Sequence, residues 1–184
     1  PKSGVGGSNL KNLKNIETAI RERKIDLISA DVFDTLVLRT TRPEQLRFWQ
    51  MAGVVRSLLP EGVASTVSQE DIFSARILAT RAAYRCSRRI GGCDETTIEE
   101  IHRLQLSALG LQQALAEVFL ESEIACEIED LAPNRCITRL LKHAQSEGIR
   151  IVYTSDMYLS EAIIDRLLRV VGADLPFDGR YSSA

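Results

Sequence analysis

The chain has 184 residues, of which 45% are hydrophobic and 26% charged, and a formal net charge of -2. That length supports one good core, or a core with a smaller insert. The near-neutral balance gives no reason to expect a nucleic-acid partner or a membrane surface, and no apolar run approaches the roughly 18 residues of a membrane span. Cys86, Cys93, Cys126 and Cys136 form no CxxC pair and have no His at zinc-finger spacing. They read as reduced thiols of a cytoplasmic protein.

In chain order, residues 1–8 are Gly- and Ser-rich and read as a flexible linker or tag remnant. A short amphipathic helix is expected from about Asn9 to Lys24, leading into a strand at Ile25–Ala30. After Leu38 the pattern turns helical. Thr41 with Glu44 has capping-box spacing, and Pro43 suits a first helical turn. Phe48, Ala52, Val55 and Leu59 then mark one face. Ser68 with Asp71 starts a second helix, with Phe73, Ile77 and Tyr84 aligned and Gly91-Gly92 as its end. Thr97 with Glu100 starts a third, closed by Gly110, and a fourth covers Leu111 to Asp130. Pro133 opens a helix with Ile137, Leu140, Leu141 and Ala144 inward, stopped by Gly148. A second strand follows at Ile149–Tyr153, then a helix from Ser160 to Val171 stopped by Gly172, then a third strand at Gly179–Ser182.

This alternation predicts an α/β fold: a parallel sheet of about three strands with right-handed crossovers. Residues 40–131 are too long for one crossover and are expected to form an inserted α-helical cap. Residues 9–39 and 132–184 then form the α/β core. Open α/β sheets place ligands at the carboxyl ends of their strands. There the first strand runs into Asp31-Val32-Phe33-Asp34-Thr35-Leu36 and the second into Thr154-Ser155-Asp156-Met157. An ionised Asp at that position needs a cation, a hydrogen-bond nest or a substrate to offset its desolvation. The two segments suggest one shared site.

These two strings, Asp31-Val32-Phe33-Asp34-Thr35 and Ser155-Asp156-Met157-Tyr158-Leu159, together resemble the haloacid dehalogenase-like (HAD) superfamily. They are similar to a bacterial branch of predicted hydrolases often associated with glycosyltransferases and surface-polysaccharide synthesis. The resemblance covers about Leu27 to the end. It implies a HAD-like Rossmannoid sheet and a Mg²⁺-dependent phosphatase acting on a small phosphorylated metabolite through an aspartyl-phosphate. Asp31 maps to the nucleophile and to a metal ligand, and the main-chain carbonyl of Phe33 to a second ligand. Thr35 maps to the motif threonine. Ser155, with Thr154 as the alternative, maps to the hydroxyl that binds the phosphoryl group, and Asp34 assists or holds the loop.

Two departures bear on the chemistry. Phosphatases of this superfamily carry a second Asp two residues after the nucleophile as general acid and base; here that position is Phe33, and Asp34 comes one residue later. Losing such a catalyst typically costs ~10²–10⁴-fold. The third and fourth motifs, a Lys and a set of acidic residues, are expected beyond the third strand, past Ala184. The resemblance therefore implies that the natural protein is longer and that residues 1–184 alone are inactive or nearly so. It also implies that the first strand shows an open edge through which the chain could oligomerise. One alternative is a non-catalytic HAD-like module that regulates or scaffolds a glycosyltransferase domain or partner. Another is a 2-haloacid dehalogenase, suggested by the aromatic Phe33.

The remaining candidates read as structural. Arg81, Arg85, Arg88 and Arg89 form a basic stripe, expected as a solvated face rather than a recognition surface. Arg76 is a candidate to turn toward the site. His102 and His143 have no visible partner. Glu121, Glu123, Glu127 and Glu129 read as an exposed helix face, and Trp49 as cap core.

Overall fold

The structure, a computed structural model, describes residues 5–39, 42–87 and 95–184, with side chains from Leu13 onward. Thr41, Arg88, Arg89, Gly91, Gly92 and Cys93 lie outside the described residues, so the expectations placed on them have no counterpart here. Helix α1 (Val5–Arg21) leads into β1 (Leu27–Asp31) and a short β2 (Val37–Arg39). Five helices follow: α2 (Glu44–Leu58), α3 (Glu61–Ala64), α4 (Gln69–Cys86), α5 (Ile98–Ala108) and α6 (Ala116–Asp130), the last preceded by a 3-10 turn at Gln113–Leu115. Then come β3 (Leu131–Pro133), α7 (Arg135–Ser146), β4 (Arg150–Ser155), α8 (Glu161–Val170) and β5 (Gly179–Ser182).

The fold is α/β, with a three-stranded parallel sheet in the order β1-β4-β5 and helices beside it. β4 is central and apolar, with Ile151 and Tyr153 fully buried. β1 pairs only with β4 among the described residues, and its Leu27 is 43% exposed, so the expected open edge is present. The register places Asp31 opposite Thr154 and Ser155 opposite Ser182. The antiparallel pair of β2 and β3 brackets residues 40–130 like a neck. Three residues are too short for periodicity to reveal such a strand.

Local sequence explains the helix ends. Ser68 and Asp71 complete the expected capping box on α4, and the Thr97 hydroxyl accepts the Glu100 amide at 3.2 Å. Pro43 occupies the N-cap of α2 rather than its first turn. Asn134 caps α7, and Gly148 ends it at φ +81, where the Ile149 amide bonds back to the Ala144 carbonyl at 3.0 Å before β4 begins. α1 starts at Val5, so it takes in residues read as linker.

Two hydrophobic clusters fill the interior. One lies under the sheet and reaches into the helical block through Ala79, Ala83, Ile98, Ile101 and Ile124. The other is internal to the block, around Met51, Val55, Ile72, Leu106 and Phe119. The face expected on α2 is buried throughout at Phe48, Ala52, Val55 and Leu59.

The face expected on α4 is not. Its buried residues are Ile72, Ala75, Arg76, Ala79 and Ala83, while Phe73 and Ile77 are half-buried and Tyr84 is exposed. Small alanines let neighbouring helices approach there, and Arg76 is buried because it is paired. The acidic face of α6 is corrected for the same reason. Glu121 and Glu129 are accessible, but Glu123 and Glu127 are buried against arginines from α4 and α2. Trp49 is half-buried and meets Phe73 edge-on at 5.7 Å.

Candidate active site at the carboxyl end of the sheet

Asp31 is the last residue of β1 and is exposed. Just past it, the Val32 amide donates to the Thr154 carbonyl at 3.2 Å, extending the pairing with β4 by one bond. The chain then folds back sharply. The Leu36 amide points at the carbonyls of Asp31 (3.2 Å) and Val32 (2.9 Å), and the Val37 amide at Val32 (3.0 Å). Buried Val32, Phe33 and Leu36 pin this loop to the core, so its polar residues face out. Asp34 sits at its tip at φ +60, a region that Asp tolerates better than most side chains. The Thr35 hydroxyl donates to Asp31 Oδ2 at 3.2 Å, which orients the carboxylate.

On the neighbouring strand Ser155 is buried, and its Oγ accepts the Met157 amide at 3.4 Å. Its carbonyl accepts the amide of Ser183 at 3.0 Å. The Ser182 hydroxyl reaches across to the Leu159 carbonyl at 2.6 Å and so ties β5 to the segment after β4. Between these ends lies an open depression of about 420 Å³, lined by Asp31, Thr154, Ser155, Asp156, Tyr181, Ser182 and Ser183. Of the expected site residues, Asp31, Thr154 and Ser155 thus share one surface. Thr35 touches it through its bond to Asp31. Phe33 is buried beneath the loop, and Asp34 is turned elsewhere.

The lining carries two carboxylates and five hydroxyls, and among its described residues no Lys, Arg or His. Hard oxygen donors of that kind suit a hard divalent cation, and Mg²⁺ is commonly held by one or two carboxylates together with substrate phosphate. Among the described residues no three His, Cys, Asp or Glu side chains converge to hold an ion unaided. The donor set therefore fits Mg²⁺ only where ligand oxygens and water complete the shell. A second cavity, about 410 Å³ between α1 and α7, contains none of the expected site residues.

Asp34 is drawn away by Arg39, whose Nη1 lies 3.6 Å from its carboxylate. The same guanidinium stacks over the Phe33 ring at 4.5 Å and reaches Met157 Sδ at 3.0 Å. Neither Arg39 nor Asp156 stands out as a site residue in the sequence. Asp156 follows a motif residue, which is a usable signal. Arg39 ends a three-residue strand and carries none.

The other candidates fall into the scaffold. Arg76 does not turn toward the depression; it is fully buried, bonded to both carboxylate oxygens of Glu123 and stacked on Phe48. His102 does have partners, Gln105 at 2.9 Å and Glu123 at 3.4 Å, and burial pushes its imidazole below its ordinary value. His143 lies on the α1–α7 cavity, and Arg81 and Arg85 are exposed. No helix among the described residues is long and apolar enough to cross a membrane. No protein-family model and no curated protein matches this chain.

Proposed function

We propose that the depression belongs to a HAD-like phosphohydrolase, with Asp31 as nucleophile toward a small phosphate monoester. The observation that carries this reading is the meeting of an exposed, Thr35-oriented Asp31 with Ser155 across adjacent parallel strands, in one open depression at their carboxyl ends. Loops at that end of a parallel sheet are where such folds gather ligands.

Asp31 Oδ attacks phosphorus, the bond to the ester oxygen breaks, and the leaving alkoxide takes a proton from water. Water then attacks the aspartyl-phosphate, releasing phosphate and restoring the carboxylate. Ser155 and Thr154 supply hydroxyls to the phosphoryl oxygens. A phosphate dianion entering a depression with two carboxylates and, among its described lining residues, no cation meets repulsion. Mg²⁺, held by Asp31 and the Phe33 carbonyl, would offset that charge and stabilise the transferring phosphoryl group. With Phe33 where the acid-base Asp is expected, leaving groups of low pKa should react best, because they need least protonation.

The test is formation of a beryllofluoride adduct, a phosphoryl mimic, followed by ¹⁹F NMR with and without Mg²⁺. A Mg²⁺-dependent bound signal that disappears in Asp31→Asn supports the reading. No bound signal in the unsubstituted protein sinks it. One observation favours a second reading, a non-catalytic module that supports a glycosyltransferase. Phe33 is buried under Arg39 and Asp34 is engaged by it, so neither residue presents an acid to the depression. That reading predicts no adduct.

A further inference from the structure

We propose that Arg39 is a positioning residue that sets the two loops framing the depression relative to each other and ties both to the helical block. Naming Asp31 as the group being positioned rests on the phosphoryl-transfer reading, whereas the geometry of the coupling does not.

Arg39 closes β2, and its side chain is 20% exposed. Its guanidinium touches three segments, two of them distant in sequence. In the loop after β1 it pairs with Asp34 at 3.6 Å and covers the Phe33 ring at 4.5 Å. In the loop after β4 it meets Met157 Sδ at 3.0 Å. On α6 its Nε faces Glu127 Oε2 at 3.8 Å, and both of these atoms are buried without a hydrogen bond. The other oxygen of Glu127 takes Arg47 of α2, so Glu127 is itself anchored within the block.

The loop after β1 has backbone bonds of its own, and in the loop after β4 the Met157 amide donates to the Ser155 hydroxyl. What Arg39 adds is a bridge between them. A planar guanidinium can stack on a ring and still present its edge to several acceptors, whereas a lysine ammonium is a single point of charge. Withdrawing Asp34 has an electrostatic consequence as well. It leaves Asp31 and Asp156 as the carboxylates of a depression that must admit an anion. Because the Arg39–Glu127 contact is longer than a hydrogen bond, a small shift of α6 would tighten or release it. The depression would feel that shift through both loops at once.

Amide hydrogen exchange of Leu36, Val37 and Met157 tests the coupling, alongside the beryllofluoride affinity. Met157→Leu keeps the bulk but removes the sulfur contact in the loop after β4. It is expected to speed exchange of Leu36 and Val37, in the other loop, by about tenfold. Arg39→Met should speed exchange in both loops and weaken beryllofluoride binding by about tenfold or more, since small misplacements of reacting groups are costly. Arg39→Lys should recover thermal stability without recovering loop protection or affinity. Exchange changes confined to the substituted loop, or spread evenly over α2 to α6, would overturn the proposal. So would full rescue by lysine. If the unsubstituted protein forms no adduct, the phosphoryl reading fails and the exchange pattern alone decides the role of Arg39. Should Arg39→Met not fold, Met157→Leu decides it.

Discussion

Arg76 and Glu123 meet as a bidentate ion pair inside the helical block, with Nε and Nη2 2.7 and 2.6 Å from the two carboxylate oxygens. Glu123 also accepts the Tyr158 hydroxyl at 3.2 Å, and Tyr158 follows β4 by three residues. A buried charge pair inside the block thus also holds the segment that leaves the candidate site. Replacing Arg76 with Met strands a buried carboxylate, and denaturant unfolding should show a loss of about 3–5 kcal/mol. The double substitution Arg76→Met with Glu123→Leu should recover most of that loss, because apolar pairs of similar volume often replace buried ion pairs at little cost.

His102 gives stability a pH dependence of defined sign. Burial, the largest influence, lowers its folded-state pKa, while the neighbouring Glu123 partly opposes this. The unfolded chain then binds more protons near the ordinary imidazole value of about 6.5. Stability from this group is full above that pH and is lost as pH falls below it. Glu123, also held below its ordinary range with Arg76 opposing its burial, adds loss of the same sign at lower pH, beneath the usual carboxylate value. Melting temperature should therefore fall between pH 7 and pH 5, and His102→Gln should flatten that slope. An unchanged slope in His102→Gln would assign the dependence to other groups.

Gly148 takes φ +81 at the turn from α7 into β4, and a Cβ there would meet no atom within 4 Å. The cost of Gly148→Ala is accordingly backbone strain alone, about 1–2 kcal/mol. Gly148→Asn should cost less, since Asn tolerates the left-handed region. Chemical denaturation of the two variants checks the order.

Asp31 contributes little to the fold, being exposed and engaged in one side-chain hydrogen bond, from Thr35. Asp31→Asn should change unfolding free energy by less than about 1 kcal/mol. A chelator should likewise leave the melting temperature unchanged while removing the beryllofluoride signal. A large stability loss in either case would make Asp31 part of the scaffold.

Much of the fold was legible because it is written in local chemistry. Ser68 with Asp71 and Thr97 with Glu100 are short-range signals, and each marks a helix start where expected. The apolar runs into Asp31 and Ser155 mark two adjacent parallel strands. The face of α4 is not legible in the sequence because Arg76 counts as polar in any periodicity, although a partner forty-seven residues away buries it. The burial of Glu123 and Glu127 is hidden from the sequence for the same reason. Among the candidate site residues, Asp31, Thr154 and Ser155 could be picked from strand ends, whereas the engagement of Asp34 by Arg39 could not.

By itself the sequence determined where the longer helices and the three parallel strands lie, and which carboxylate and hydroxyl stand at the strand ends. Those are consequences of capping, turn chemistry and hydrophobic period, which act over a few residues. Only the tertiary structure decided which charges are buried and which face the depression. Burial of a charge depends on a partner brought from afar, as Arg76 is to Glu123 and Arg47 to Glu127, and no local pattern encodes that meeting.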